Sequence, residues 1–491
     1  MSKKVVIIGS GFAGLSAACF MAKAGWSVTV LEKHPIPGGR ARQFSSNGFN
    51  FDMGPSWYWM PDVFERFFAK FGKEVGDYYQ LKRLDPSYRI YWDKGFTDIP
   101  SDYSALKRLC DELEPGAGDK LDKFLHEAEY KYRVGINKLV FKPGQKYSEF
   151  LDMELIRGVF KLDVFTSIKN HINKYFRHPR IRQMMEFPVL FLGALPENTP
   201  ALYSLMNYAD IKLGTWYPEG GMYSVVKGIH QLADSLGANF MFNHDVTEIK
   251  VQHNNVKKLV CSNGNEFEAD VVIGSADYHF IESKLLAPEF RTYSESYWNK
   301  RLMAPGSLLF YIGLNTRLNN VVHHSLFFDV PFEEHARDIY ETKQWPERPL
   351  FYASISSLTD QNAAPEGGEN LVFLIPVAAG LDGDTGELRD KYLDIILKRF
   401  NEHTGQDISN NIVFCKSYAH SDFVNDYNAF KGNAYGLANT LMQTAILKPS
   451  CKSKKVKNLF YAGQLTVPGP GVPPSLISGE VVAGEVIKHF G

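Results

Sequence analysis

The sequence predicts an α/β fold in which a Rossmann-type dinucleotide-binding domain is interleaved with a second, α+β domain. Three observations support this. The first 31 residues read as strand, glycine turn, helix and strand; buried-strand character returns at 271–273 and 459–462; and the stretches between are helical and aromatic or rich in other strands. At 491 residues, the chain is also longer than a single hydrophobic core usually supports.

The first turn carries the dinucleotide fingerprint G-x-G-x-x-G, formed by Gly9, Gly11 and Gly14. The first glycine permits a tight turn, the second lets a pyrophosphate approach the backbone, and the third brings the helix close to the strand. The free N–H groups at the N-terminus of the following helix favour an anion. The unit therefore predicts a pyrophosphate site at this turn.

Two features after the second strand indicate which dinucleotide the site would bind. Glu32 follows Gly14 by eighteen residues, where a carboxylate accepts hydrogen bonds from a ribose diol and disfavours the 2′-phosphate of NADP. FAD and NAD share this pattern. Gly38, Gly39 and Arg40 add a second turn rich in N–H groups together with a cation, which suits another approach to an extended cofactor.

From these residues on, the chain resembles the amine-oxidase-like and phytoene-desaturase-like FAD flavoproteins, which carry the fingerprint, Glu and G-G-R in this order. The segment 463–475, Gly-Gln-x-Thr-x-Pro-Gly-Pro-Gly-x-Pro-Pro-Ser, resembles bacterial-type phytoene desaturases most specifically, and the similarity spans nearly the whole chain. In such proteins the arginine of G-G-R and the Asp-x-Gly-Pro stretch, here 52–55, lie near the pyrophosphate and flavin.

Fingerprint and resemblance together predict FAD as the cofactor. The predicted constrained loop, in which seven of the twelve residues 463–474 are Gly or Pro, would form a preordered wall for the isoalloxazine before a helix starting near Pro474. The residues predicted to bind FAD are Gly9, Gly11, Phe12, Ala13, Gly14, Glu32, Lys33, Gly39, Arg40, Gly54, Pro55, Ser56, Val246, Gly463, Gln464, Gly471, Val472 and Pro473.

The resemblance implies removal of a hydride and a proton from adjacent carbons of a lipophilic polyene, with phytoene converted to a product such as lycopene. FAD would take the hydride, and oxygen or a quinone would reoxidise it. A carotenoid cis-trans isomerase, a later-pathway carotenoid desaturase, an amine oxidase and a non-catalytic flavin-binding scaffold remain alternatives. Many amine oxidases tether the flavin through a cysteine near the end, whereas Cys451 precedes the last predicted strand.

Catalytic residues are not identified by any hydrolase or metal motif, and no metal is predicted. Asp52 and Glu219 are the candidates for a catalytic base, with a strand-end cap and an exposed turn acid as the respective alternatives. Aromatic residues near the flavin-facing loops are candidates for lining a polyene channel, although core packing is their commonest role. These candidates are Trp57, Tyr58, Trp59, Trp216 and Tyr217.

The pattern of glycine-rich and aromatic stretches divides the chain into five segments. Residues 1–83, 226–280 and 456–491 are assigned to the FAD-binding domain. Residues 84–225 and 281–455 are assigned to the substrate- and membrane-facing domain. This division predicts that the FAD-binding domain is built from three separate pieces of chain.

The charges nearly cancel, with 54 Lys and Arg against 55 Asp and Glu, so the composition gives no case for a nucleic-acid partner.

Residues 157–182 form a basic amphipathic segment that fits either an anionic membrane surface or a helix packed on the core. No uninterrupted apolar run is long enough to span a bilayer. Because the substrate that the resemblance implies resides in a bilayer, we expect a cytoplasmic protein attached peripherally to the inner face of the membrane. The oligomeric state is left open.

Overall fold

A five-stranded parallel sheet forms the base of the molecule, whose computed structural model describes residues 2–150, 163–190, 193 and 195–491. All its neighbouring strands pair in parallel, and helices cover it. In spatial order the strands are Leu459–Tyr461, Val271–Gly274, Lys4–Ile8, Ser27–Leu31 and Asn239–Met241. The predicted Rossmann-type fold is therefore confirmed.

A seven-stranded sheet lies beyond the parallel one and is mostly antiparallel. Strands His324–Phe327 and Tyr88–Tyr91 are its one parallel pair among the described residues. In spatial order the strands are Ile412–Tyr418, Gly306–Leu314, Glu369–Val377, Phe351–Ser354, His324–Phe327, Tyr88–Tyr91 and Phe96–Ile99. These strands contain the β-rich runs of the predicted second domain.

Three smaller antiparallel units accompany the two large sheets. Their strands are Val246–Gln252, Asn255–Cys261 and Glu266–Glu268 in one sheet, Gln43–Ser46 with Phe49–Asp52 in another, and Leu81–Arg83 with Trp216–Pro218 in a third. Within the described residues, the α-helices are Phe12–Lys23, Pro61–Ala69, Tyr103–Leu113, Ala117–Val134, Ile168–Tyr175, Pro179–Leu190, Leu205–Tyr208, Met222–Ser235, Tyr278–Phe280, Glu295–Asn299, Phe332–Arg337, Gly386–Thr404, His420–Tyr427 and Val472–Phe490.

The first and last helices pack directly against each other beside the parallel sheet. A Cβ added to Gly479 of the last helix would lie 2.3 Å from the Ala13 carbonyl oxygen of the first. That separation is far below van der Waals contact, so only glycine permits this approach. The packing brings both helix N-termini to the same edge of the parallel sheet.

The basic segment 157–182 is described only from residue 163 onward; Arg157 and its neighbours to residue 162 lie outside the described part. Helix Ile168–Tyr175 has Ile168 and Ile172 fully buried, and Phe176 just after it is fully buried too. The apolar side of this helix therefore packs on the core and is not available to lipid. Across the described residues, none of the helices combines the length and apolar character needed to cross a membrane.

Candidate functional site

One cavity lies between the parallel sheet and the seven-stranded sheet. Ser10 and Glu32 line it just beyond the carboxyl ends of two parallel strands, and Ser275 and Gly463 line it beyond two others. Ligands of open parallel sheets bind at this edge, because loops and helix N-termini converge there. The cavity therefore occupies the place that the sequence predicts for a dinucleotide.

The first turn presents backbone to the cavity without side chains in the way. Gly11 caps helix Phe12–Lys23, and a Cβ placed on Gly11 would meet no atom within 4 Å. A Cβ on Gly14 would lie 2.1 Å from the Gly9 carbonyl oxygen and 2.5 Å from Ser275 Oγ. Gly11 thus leaves room for a ligand, whereas Gly14 does not line the cavity and allows the helix to approach the strands.

Glu32 is buried at the edge of the cavity and organises the loop around itself. Its Oε2 accepts hydrogen bonds from the Ser10 N–H at 2.8 Å and from Ser10 Oγ at 2.6 Å. Its Oε1 accepts from the His34 N–H at 2.9 Å. Ser10 was not singled out from the sequence, because the x positions of the fingerprint carry no residue preference.

Arg40 brings a partly buried positive charge to the cavity. Burial lowers the pKa of its guanidinium, and the carboxyl of Asp277 across the cavity opposes this decrease. The Gln464 amide lies 2.9 Å from Arg40 Nη2, while Arg40 Nε has no hydrogen-bond partner among the described residues. A partly buried cation with an unpartnered Nε, beside two helix N-termini, fits the anionic part of a dinucleotide.

The C-terminal loop forms another wall. Gly471, with φ of +113°, caps helix Val472–Phe490, so the helix begins two residues before the predicted Pro474. Pro473 and Pro474 fit its first turn because N–H groups there have no intrahelical acceptor. The N-terminus of this helix faces the cavity, where its partial positive charge favours an anion.

Seventeen of the eighteen residues predicted to contact FAD line this cavity, Gly14 being the exception. Of the predicted aromatic lining, Trp57 and Trp59 contribute to it. Three others are corrected: Tyr58 stacks on Phe64, Trp216 donates to the Leu213 carbonyl, and Tyr217 donates to Asp360 Oδ2. These three side chains pack in the core or beside it, outside the set of described residues that line the cavity.

The two candidate bases also lie outside this set. Asp52 accepts hydrogen bonds from the Met222 N–H at 2.7 Å and the Tyr223 N–H at 3.1 Å, at the start of helix Met222–Ser235. Burial raises the pKa of its carboxyl to about 7 despite these bonds. Glu219 is exposed in the turn before that helix. The geometry favours the capping and turn alternatives over catalysis.

The far side of the cavity is mainly apolar, and the sequence did not predict its residues individually. Four residues form a row across four adjacent, paired strands of the seven-stranded sheet, and all four line the cavity: Leu309, Leu374, Tyr352 and Leu326. Other lining residues there are Phe187, Met206, Phe328, Phe332, Ile339 and Leu350. We call this surface the apolar wall. The apolar runs in these strand sequences are a signal for the wall, but the register that aligns the row depends on tertiary pairing.

These features define a class: a dinucleotide site at the edge of a parallel sheet that opens onto an apolar chamber belongs to a cofactor-dependent oxidoreductase. Comparison with known proteins agrees. The model of the family described as flavin containing amine oxidoreductase matches residues 12–487. The chain belongs to this family and is a flavin-dependent oxidoreductase.

Relatives that match over nearly the whole chain indicate which part of the family this protein resembles. The chain is 40% identical to the carotenoid 3,4-desaturase of Haloarcula japonica over 489 residues, covering 99% of this chain and 98% of the relative. It is 30% identical to the zeta-carotene-forming phytoene desaturase of Myxococcus xanthus, covering 98% and 93%. The protein thus falls among the carotenoid-desaturase relatives within the family.

Solved structures support the fold. An oxidoreductase from Methanosarcina mazei superposes with a TM-score of 0.62 at 15% identity, covering 98% of this chain and 100% of that one. At this identity, the likeness concerns the fold alone.

Proposed function

We propose that this protein is an FAD-dependent desaturase of a carotenoid polyene. The observation that carries the proposal is the continuity of two surfaces in one cavity: the predicted dinucleotide residues on one side and the apolar wall on the other. A long hydrocarbon needs such a wall, because burial of apolar surface is its main source of binding free energy. Both relatives described above are named for desaturation of carotenoids.

Different residues would bind different parts of the cofactor and the substrate. The N-terminus of helix Phe12–Lys23 and Arg40 would hold the pyrophosphate, and Glu32 would face the ribose. Bound FAD supplies a two-electron acceptor that removes hydride from the polyene. The apolar wall would hold the polyene and exclude water from it, which protects the reacting carbons from side reactions.

The particular carotenoid is a further part of the proposal. The higher identity to the carotenoid 3,4-desaturase favours a later-pathway, already conjugated substrate, and phytoene is the second candidate. We propose oxygen or a quinone as the final electron acceptor. A direct test incubates purified protein and FAD with liposomes that contain either carotenoid and one acceptor, and then records the absorption spectrum.

Desaturation extends conjugation, so we expect absorption to move to longer wavelength while the acceptor is consumed. A spectrum that changes without acceptor consumption would identify an isomerase instead. Protein that retains bound FAD but leaves both carotenoids unchanged would contradict the proposal. Parallel assays with primary amines and oxygen test the amine-oxidase alternative, and turnover of amines alone would establish it.

Membrane attachment is proposed from the substrate, which resides in a bilayer. Phe165 and Met442 are 82% and 71% exposed, although both are large and apolar. Their segments lie close together: the Ala201 N–H donates to the Thr166 carbonyl, and Tyr203 Oη is 3.4 Å from Thr444 Oγ1. Exposed apolar side chains of this kind favour an interface with lipid.

Liposome sedimentation tests this attachment. A Phe165→Ser, Met442→Ser double variant should sediment less with carotenoid-free liposomes than the wild type, because two lipid-contacting side chains are lost. Val413→Ser, an exposed apolar residue on strand Ile412–Tyr418, is the matched control. Equal sedimentation of the double variant and wild type would remove this surface from the proposal.

A further inference from the structure

Three polar side chains meet at one point of the mainly apolar wall: Ser56, Tyr352 and His324. The Tyr352 hydroxyl lies 2.9 Å from Ser56 Oγ and 2.6 Å from His324 Nδ1. Ser56 and Tyr352 line the cavity, while His324 lies behind Tyr352 and is fully buried. We call this group the Ser56–Tyr352–His324 cluster.

Packing does not explain the cluster. Tyr352 lies in the register row between Leu326 and Leu374, where another apolar side chain would fill the wall. Burying a hydroxyl and an imidazole in such surroundings is unfavourable unless they are hydrogen-bonded to each other. Polar groups that converge in an apolar pocket commonly orient or react with its ligand.

His324 is held in one orientation and in its neutral form. Its ring stacks on Trp57, with centroids 4.1 Å apart and planes at 15°, and the ring of His323 packs edge-on at 4.4 Å. Burial lowers the pKa of His324 well below its usual 6.5, and His323 adds to this decrease. A neutral imidazole carries its hydrogen on one nitrogen and a lone pair on the other. We assign the hydrogen to Nε2, so that the Nδ1 lone pair faces the Tyr352 hydroxyl and can accept its hydrogen. Nε2 has no hydrogen-bond partner within the described ranges.

We propose that Tyr352 accepts the proton that the polyene loses during desaturation, that His324 takes up the phenolic proton, and that Ser56 positions the hydroxyl. This inference rests on the proposed function. It supplies the proton acceptor that neither Asp52 nor Glu219 can provide from outside the cavity.

A bound flavin would supply the oxidant that takes hydrogen with its electron pair from one carbon of the polyene. On the adjacent carbon a C–H bond breaks, its electron pair becomes the new π bond, and the proton bonds to the Tyr352 oxygen. The phenolic O–H bond breaks at the same time, and its proton joins His324 Nδ1.

Weak neutral acceptors are sufficient for this chemistry. Loss of hydride leaves the neighbouring C–H bond strongly acidic, so a carboxylate is unnecessary. The buried imidazolium formed in this step is unfavourable, so His324 returns its proton through Tyr352 to water that enters the cavity once product leaves. The cluster thereby regenerates without a charged group facing the polyene.

Tyr352→Phe tests the acceptor directly, because it keeps the ring and removes the hydroxyl. We expect kcat to fall by roughly 100-fold or more, with KM changed by less than about threefold. Bound FAD, measured by visible absorption, should be unchanged. The matched control is Tyr392→Phe, which removes a buried hydroxyl that donates to the Pro346 carbonyl in a different part of the core. That control should keep the wild-type kcat.

His324→Asn separates proton uptake from simple hydrogen bonding. An amide in place of Nδ1 still bonds to the Tyr352 hydroxyl but does not accept its proton, so kcat should also fall by about tenfold or more. Wild-type kcat in His324→Asn, together with a raised KM in Tyr352→Phe, would show that the cluster only recognises a polar group on the substrate. That result would overturn the proton assignment.

A spectroscopic measurement on the flavin-free protein is independent of turnover. With histidines labelled by ¹⁵N, the His324 signals should be those of a neutral ring, and its Nδ1 signal should shift in Tyr352→Phe but not in Tyr392→Phe. An unshifted signal would overturn the pairing. Wild-type protein that binds FAD yet desaturates no carotenoid would refute the proposed function as well. Active wild-type protein and equally active Tyr352→Phe would refute the proton role alone.

Discussion

Gly11 and Gly14 are both glycine, but the structure requires glycine at the two positions for different reasons. Gly11 borders open cavity space at backbone angles that other residues also adopt, with φ of −70°. Gly14 is packed against the Gly9 carbonyl and Ser275. Gly11 is therefore a requirement of ligand binding, as the fingerprint predicts, whereas Gly14 is a requirement of the fold.

We predict opposite phenotypes for alanine at these positions. Gly14→Ala forces backbone apart and should reduce the free energy of unfolding by about 3 kcal/mol or more, measured by urea denaturation of flavin-free protein. Gly11→Ala should leave that free energy within about 1 kcal/mol but weaken FAD binding at least tenfold, because the methyl group occupies phosphate space. Tight FAD binding by Gly11→Ala would contradict this assignment.

Lys448 is a buried ammonium group beside the C-terminal loop. Its Nζ donates to Asn439 Oδ1 at 2.9 Å, an uncharged acceptor. Burial lowers the pKa of Lys448 from 10.5 to about 7. The folded state therefore binds this proton more weakly than the unfolded state, and the cost of the buried charge is greatest below pH 7.

Lys448→Met should consequently stabilise the protein, by about 2–4 kcal/mol at pH 6. The advantage should shrink as the pH rises from 7 toward 10.5, because the lysine is then neutral in the folded state and becomes neutral in the unfolded one. Urea denaturation of both proteins at pH 6 and pH 9 measures the difference. An advantage that grows with pH would contradict the sign of this linkage.

At the scale of elements, Asp52 joins strand Phe49–Asp52 to the start of helix Met222–Ser235. A Cβ on Gly221 would lie 2.4 Å from Asp52 Oδ2, so the carboxyl and the helix end are in close contact. Accepting from the first N–H groups of a helix stabilises it. The side chain thereby connects two pieces of chain that are far apart in sequence.

The capping role predicts that Asp52→Ala lowers the free energy of unfolding by about 1–2 kcal/mol while kcat per FAD-loaded molecule stays within about threefold of wild type. Urea denaturation and an absorption-based desaturation assay measure the two quantities. Asp52→Asn, which keeps an acceptor oxygen, should lose less stability. A hundredfold lower kcat in both variants would restore Asp52 as the catalytic base.

At the scale of the whole molecule, the cavity collects residues from three distant stretches of sequence. Gly11, Val246 and Gly463 line it together, each from a different predicted segment of the FAD-binding domain. A ligand that contacts all three stabilises the folded arrangement and has no comparable site in the unfolded chain. Folding and flavin binding should therefore be linked.

Adding FAD to flavin-free protein should raise the unfolding temperature, since FAD at 100 times its dissociation constant stabilises the fold by about 2.7 kcal/mol. Differential scanning fluorimetry at increasing FAD concentrations measures the shift. Gly11→Ala should show a smaller shift at equal FAD. An unfolding temperature independent of FAD would mean that the three stretches do not form one flavin site.

The sequence alone determined the features that depend on residues close together in the chain. These features are the glycine spacing, the acid after the second strand and the Gly- and Pro-rich C-terminal loop. Because they depend on short-range sterics, they predicted the parallel-sheet fold and the residues around one edge of it. Only the tertiary structure decided which aromatic side chains face the cavity. Trp57 lines it and Tyr58 does not, because neighbours on an extended chain point to opposite sides. It also decided that Asp52 caps a helix and that Tyr352 meets His324 across a strand pair, since strand register and long-range packing arise only when distant segments bury their apolar faces together.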